Sequence, residues 1–226
     1  MKNLCIIPIR SQSKGIKNKN IKKLINKPLV CYAIDESLKS NIFQSIIIAT
    51  DSSSYIKKIK LIYRNNKKVL FFKRSKKSST SNAKTSVVIK EVLKDFFIFD
   101  NIFLIQATSP LIKSKDIRSA YSLFVKKNYE SLFSSYLTTK FFWEKKKKTM
   151  QSINYDYKRR LPRQKLKKQY AENGAIYIFK YNLFKKFRNV LFGRIGTYIM
   201  EEDRSVDIDD KKDFQKAKNY LISNMS

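Results

Sequence analysis

The sequence predicts an α/β fold in three layers, with helices covering both faces of a mostly parallel, Rossmann-like sheet. Three observations lead there. Short apolar runs recur along the chain, each too brief for a helix and each ended by a polar turn. The segments between them repeat their apolar residues every three to four positions. Strands and helices alternating at this spacing pair in parallel, with each crossover packed on the sheet. At 226 residues with 42% hydrophobic content, the chain has material for one domain over residues 1–226 with a real core.

The first strand is Leu4–Ile9, and Pro28–Ser40 is the first helix, with Pro28 suited to a first helical turn. Gln44–Thr50 is a second buried strand. Asp51 and three serines follow and can cap a helix that runs to Tyr63. A third strand is expected at Val69–Phe72, a polar loop at Ser78–Ser86, a helix at Val87–Phe97 and a fourth strand at Ile102–Gln106. A helix from Ser114 or Lys115 to Lys126 leads to a fifth strand, Ser131–Tyr136. There the rhythm breaks. Residues 138–170 are basic and irregular and read as an arm or hairpin leaving the sheet. Phe141, Phe142 and Trp143 open it, and three adjacent aromatics imply either a subunit interface or packing onto the domain. Strands at Ala175–Phe179 and Thr197–Met200 and a helix at Lys211–Ile222 complete the chain, with Asn173-Gly174 read as a tight turn.

Composition narrows the function. Histidine is absent, which removes imidazole bases, His-based triads and His metal sites. The formal charge of +31 raises nucleic-acid binding as an option. Yet the cations are spread along the whole chain, and Lys, Asn, Ile, Phe and Tyr abound while Gly and Pro number four each. An A/T-biased genome produces that pattern without selection for a polyanion, so nucleic acid is expected to bind only non-specifically, at low salt. No apolar run reaches membrane-spanning length. The N-terminus enters a strand directly, so a cytoplasmic location is expected. Cys5 and Cys31, both on apolar faces, read as core thiols in a reducing compartment.

Four polar clusters follow predicted strands or turns. The first spans Arg10–Asn20, with four cations and one glycine just past the first strand, where open α/β sheets bind ligands. It is either a phosphate cradle or a solvated lysine-rich turn. The second is Gln106–Pro110, an amide and two hydroxyls that form either a polar-ligand site or a Ser-Pro turn. The third runs from Arg163 through Tyr177 around Asn173-Gly174. The fourth is Asp207-Ile208-Asp209. On an extended segment its two carboxylates share a side and suit Mg²⁺; alternatively Asp209 or Asp210 caps the last helix. A basic loop, a carboxylate pair and no histidine together fit nucleotidyl transfer, which relies on positioning and charge neutralisation.

The chain resembles the bacterial CMP-sialic acid synthetases, or N-acylneuraminate cytidylyltransferases, including the CMP-legionaminate enzymes. The resemblance rests on IIPIRSQSKGIKNKNIKKLINKPL, IIIATDS, Arg74, QATSPL, RQ-x-L-x-x-x-Y-x-x-NGAIYIF and SVDIDD-x-x-DF, in that order over essentially the whole chain. It implies that the anomeric hydroxyl of a nine-carbon sugar acid attacks the α-phosphorus of CTP, with Mg²⁺ required. Arg10, Lys14 and Lys19 would hold the triphosphate, with backbone amides around Ser13 and Gly15. Asn20, Arg74 and Thr85 would lie near the cytidine. Gln106 and Tyr177 would line the sugar site, with Ser109 and Asn173 close by, and Asp207 and Asp209 would hold Mg²⁺. Arg10, Lys14, Lys19 and Asp209 are thereby the expected catalytic set. The family's arm makes a homodimer and would carry Arg163 toward a neighbouring site. Pseudaminate or another sugar acid is an alternative substrate, and a decayed polyanion-binding protein on the same scaffold is an alternative from another class. The family often carries glycine where Ser11-Gln12 stand, so side chains there are expected to crowd the approach of phosphate.

Overall fold

In the computed structural model, eleven strands and seven α-helices are defined among the described residues, which are all but Lys14, Ser81, Asn82, Phe97, Met225 and Ser226. Of Arg163 only the backbone is described. The order begins with β1 (Asn3–Ile9), the two-residue strands β2 (Lys23–Leu24) and β3 (Lys27–Pro28), α1 (Leu29–Ser40), β4 (Ser45–Thr50) and α2 (Ser53–Ile62). It continues with β5 (Val69–Lys73), α3 (Lys76–Ser79), α4 (Thr85–Asp95), β6 (Asn101–Ile105), α5 (Ser114–Lys126) and β7 (Ser131–Thr138). Last come β8 (Trp143–Lys146), β9 (Thr149–Ser152), β10 (Gln169–Lys180), α6 (Tyr181–Phe187), β11 (Ile195–Ile199) and α7 (Lys211–Ser223).

The main sheet has seven strands in the order β11-β7-β10-β6-β1-β4-β5. All its pairs are parallel except those of β10, which runs antiparallel to both β6 and β7. Both faces are covered, so β1 is apolar throughout from Leu4 to Ile9. Cys5, Ile7 and Ile9 enter one core, with Val30 and Ile34 of α1 and Phe124 of α5. Leu4 and Ile6 enter the other, with Val88, Ile89 and Val92 of α4 and Phe184 of α6. Both cysteines are buried and unpaired. A third, smaller core joins Ile16 of the opening loop to Val206 and Ile208 of the late segment and Ala217 of α7. It pins two distant stretches against α1 through Leu29 and Tyr32. Chain direction in strand order reverses at β1, whose neighbours β6 and β4 lie on opposite sides. That reversal opens a crevice beyond the strand C-termini, the usual ligand position of such sheets.

The expected strands and helices all occur, with ends shifted by a residue or two except at β10, which begins six residues earlier than Ala175, and three differences stand out. Asn173-Gly174 is not a hairpin turn. β10 runs unbroken through it, and the pairing register with β7 shifts between Glu172 and Tyr177. Gly174 takes φ +71°, which serves a bulge as well as a turn. The polar loop at Ser78–Ser86 is shorter than expected, because Ser75 caps the helical turn α3 and Thr85 already starts α4. Helix α6 carries no sequence signal, being only seven residues long. The arm leaves the sheet as expected: β8 and β9 form a separate antiparallel hairpin, followed by two 3-10 turns.

Candidate active site

A cleft of about 540 Å³ opens at the crevice beside β1. Arg10, Ser13, Gly15, Lys19 and Asn20 line it from the opening loop, Arg74 from the end of β5 and Thr85 from the start of α4. Gln106 and Thr108 come from the turn after β6, and Asp209 closes it from the late segment. Nine of the residues singled out in the sequence thus meet in one place, drawn from five separate stretches of chain.

The loop is held by its own polar side chains. Ser11 donates from its backbone N–H and its hydroxyl to the two Asp51 carboxylate oxygens, both at 2.8 Å. Tyr55 donates its hydroxyl to Asn18 Oδ1 at 3.1 Å, and Asn20 Nδ2 donates to the Arg10 carbonyl at 3.0 Å. Asn18 adopts a left-handed conformation at φ 54°, which asparagine tolerates better than most residues. Ser11 therefore points at Asp51, and neither it nor Gln12 lines the cleft. The crowding expected there does not arise, because the hydroxyl has a carboxylate partner away from the cleft.

The loop is also locked to the late segment. Lys19 Nζ donates to the Ile208 carbonyl and, at 3.2 Å, to Asp209 Oδ1. The lysine side chain is 11% exposed while that of Asp209 is 82% exposed, so the cation is presented from a buried stem. Gly15 packs directly on the Asp209 carbonyl oxygen, and a Cβ at that position would overlap it. Asp207 and Asp209 are both exposed, with Ile208 fully buried between them. Of the pair, Asp209 lines the cleft and Asp207 lies against Gly174. The protein mass around Asp207 holds its carboxyl above the ordinary range; Thr108 donates a hydrogen bond that opposes this, and the Asp209 charge adds to it. A second carboxylate charge close to Asp207 suits a divalent cation. Among the described residues no third His, Cys, Asp or Glu joins them, so an ion held there needs ligands from substrate or water.

Arg74 is a partly buried cation of the cleft. Its Nη1 donates to the Ile9 carbonyl at 3.5 Å, its Nη2 donates to the Ser78 carbonyl, and its Nε is buried without a partner among the described residues. Burial lowers its proton affinity and nearby Arg10 adds to that, against the pull of Asp51 and Glu91. Desolvation would raise Glu91, but hydrogen bonds from Ser75 and Ser78 hold it below the ordinary carboxylate range. An unsatisfied guanidinium N–H beside a cleft is costly unless a ligand acceptor meets it.

The remaining candidates lie around this cleft and do not line it. Ser109 is buried, its hydroxyl without a partner among the described residues. Asn173 points inward: its Oδ1 accepts from Ser134 Oγ at 2.6 Å and its Nδ2 donates to Ser205 Oγ at 2.9 Å. It thereby holds the β10 bulge. Gly174 lies against Asp207, whose Oδ2 is 3.6 Å from where a Cβ would stand. The Tyr177 hydroxyl donates to Glu172, and burial together with that carboxylate pushes the phenol up. Lys14 and the Arg163 side chain lie outside the described residues. Asp51 and three serines are the caps the sequence offers for α2; Ser52 is the one that accepts from the Tyr55 N–H, and Asp51, not singled out as a site residue, holds the loop. The position of Asp51 directly after a strand was the available signal.

The sequence pattern of the family described as "Cytidylyltransferase" matches residues 4–223. The chain belongs to the cytidylyltransferase family. Post-translational flagellin modification protein B of Campylobacter coli is 31% identical to this cytidylyltransferase, over 97% of the chain and 94% of the relative. The N-acylneuraminate cytidylyltransferase of Escherichia coli O18:K1:H7 is 32% identical over 96% of the chain, which spans 51% of that enzyme. The pseudaminic acid cytidylyltransferase of Campylobacter jejuni serotype O:23/36 is 27% identical over 96% of the chain and 95% of its own length. Among solved structures, a CMP:2-keto-3-deoxy-manno-octonic acid synthetase complexed with CTP covers all of both chains at TM-score 0.72 and 11% identity. A 4-diphosphocytidyl-2C-methyl-D-erythritol synthase gives 0.71, also at 11%. At those identities the solved structures support the fold of this cytidylyltransferase and nothing finer.

Proposed function

We propose that this cytidylyltransferase activates a nonulosonic, nine-carbon sugar acid with CTP, yielding the CMP-sugar and pyrophosphate. The supporting observation is that relatives named for N-acylneuraminate and for pseudaminic acid both match at least 96% of the chain. Arg10 and Lys19, with the amides around Ser13 and Gly15, bind the triphosphate at the crevice, and Lys14 belongs to the same loop. Asn20, Arg74 and Thr85 hold the cytidine, with the spare Arg74 Nε supplying a donor. Gln106 and Tyr177 orient the sugar, and Ser109, Asn173 and, from a second copy of the chain, Arg163 support them. Asp207 and Asp209 hold Mg²⁺, which when bound supplies charge neutralisation on phosphate oxygens. The anomeric hydroxyl oxygen bonds to the α-phosphorus, the bond from that phosphorus to its bridging oxygen breaks, and pyrophosphate departs with the electron pair while the hydroxyl proton is released. The chain's part is positioning and electrostatic stabilisation, which needs no histidine.

A pseudaminate substrate is the second reading, supported by relatives named for pseudaminic acid that are 27% identical over 96% of the chain. The homodimer forms through the arm, where Phe142, Trp143, Met150 and Ile153 are exposed. No helix among the described residues is long and apolar enough to cross a membrane, and two buried free thiols suit a reducing, cytoplasmic setting. A pyrophosphate-release assay with CTP, Mg²⁺ and sialic, legionaminic and pseudaminic acids tests the reading. Turnover with at least one acid is expected. Absence of turnover with all of them, together with salt-sensitive nucleic-acid binding, would favour a decayed scaffold.

A further inference from the structure

On the sheet face opposite α1 and α5, helices α4 and α6 leave a recess of about 440 Å³. Leu93, Tyr181 and Phe184 form its floor, and all three belong to the second core. Lys77, Lys90, Lys94, Lys185 and Arg188 stand around the rim. None of the five makes an ion pair with a described residue. Glu91, beside Lys90 in sequence, is turned away to Ser75 and Ser78, and Lys185 Nζ lies 4.5 Å from the centre of the Tyr181 ring. An apolar floor under unpaired cations is a different chemistry from the nucleotide cleft, which is polar throughout its loop side. The two cavities flank one helix: Thr85 and Val88 of α4 face the cleft, while Ser86, Val87 and Lys90 face the recess.

We propose that this recess is a second ligand site, taking a small amphipathic anion. The acyl or aryl body of such a ligand lies on Tyr181 and Phe184, and its carboxylate, sulfonate or phosphate sits among the rim cations. The volume suits a ligand of drug-like size. A neutral apolar molecule would leave the cations unanswered, and a bare polyphosphate would leave the aromatic floor wet. Both halves of the ligand are therefore specified by the site.

The test uses the full chain and 8-anilinonaphthalene-1-sulfonate, an aryl anion whose fluorescence rises on leaving water, alongside neutral N-phenyl-1-naphthylamine. Phe184 and Tyr181 carry core packing, so the variant is Lys90→Glu with Lys94→Glu, both exposed on α4. A matched control is Lys145→Glu with Lys147→Glu on the arm. The expected result is one saturable sulfonate site that saturating CTP does not compete away. Its affinity falls roughly tenfold in the α4 variant, as expected when two attractive charges become repulsive, and is unchanged in the arm variant. Circular dichroism of the variants matches the parent. Equal sulfonate affinity in parent and α4 variant, equal affinity for the neutral analogue, or competitive displacement by CTP would each overturn the proposal.

Discussion

Asp209 is asked to do three things at once, and each can be separated by a single atom. Its carboxylate takes Lys19, its carbonyl oxygen meets Gly15, and its N–H donates to Asp213 Oδ2 at 3.0 Å. Asp209→Asn keeps the backbone contacts and removes only the charge. Turnover is expected to fall by about 10²-fold or more, the scale of losing one electrostatic stabiliser, while the thermal midpoint moves little; retained activity would refute the metal assignment. Gly15→Ala tests the other side of the contact. The added methyl has only backbone to meet, so the loop must retreat, at a cost of about 1–3 kcal/mol in the range of other overpacking changes. The expected signature is a raised KM for CTP with the overall fold intact by circular dichroism, and an unchanged KM would mean that the loop does not close on the late segment.

At the scale of elements, the late segment is aimed by an anchor that no motif announced. Arg204 donates bidentately to Asp116 of α5, through Nη1 and, at 3.0 Å, through Nη2; its Nε reaches Glu201 at 2.9 Å. Arg204 precedes the two site carboxylates by a few residues, and Ile208 N–H then donates to the Thr108 carbonyl at 2.8 Å. Arg204→Met leaves Asp116 charged and buried, which typically costs about 3–5 kcal/mol. A lowered thermal midpoint is expected, with partial recovery in the Arg204→Met, Asp116→Asn double variant; additive losses would refute the pairing. This is where reading the sequence ran out. Strand and helix positions were legible because apolar runs and three-to-four spacing directly reflect burial. The loop, the Asp pair and Gln106 were legible because polar residues concentrate at strand ends. The Arg204–Asp116 pair, 88 residues apart, leaves no periodic trace. Gly174 was misread because a positive φ serves turn and bulge alike.

Across the whole molecule, the arm and the sheet present different surfaces. The hairpin keeps part of its aromatic set to itself: Phe141 and Trp143 each meet Tyr155, at 4.4 and 5.7 Å between ring centres. Trp143 nevertheless remains 42% exposed, beside Tyr157 at 55% and Leu161 at 50%. That much apolar surface on one projection is what the proposed dimer would cover. Trp143→Asp is expected to shift the chain from dimer to monomer in light scattering after size exclusion, without loss of secondary structure. A monomeric parent chain would remove the basis for placing Arg163 at a neighbour's site.

Lys19 grips Ile208 across 189 residues of sequence, and the small third core that seats both ends draws on α7. A ribosome delivers the loop well before its clasp. While the segment that holds Asp209 is still inside the exit tunnel, the loop has no Asp209 to close against, so the growing chain is expected to leave nucleotide pools untouched. A ribosome-stalled chain lacking α7 should bind no CTP, whereas binding by that truncated chain would show that the loop folds unaided. The clasp is expected to close only after 189 further residues have followed the lysine it holds.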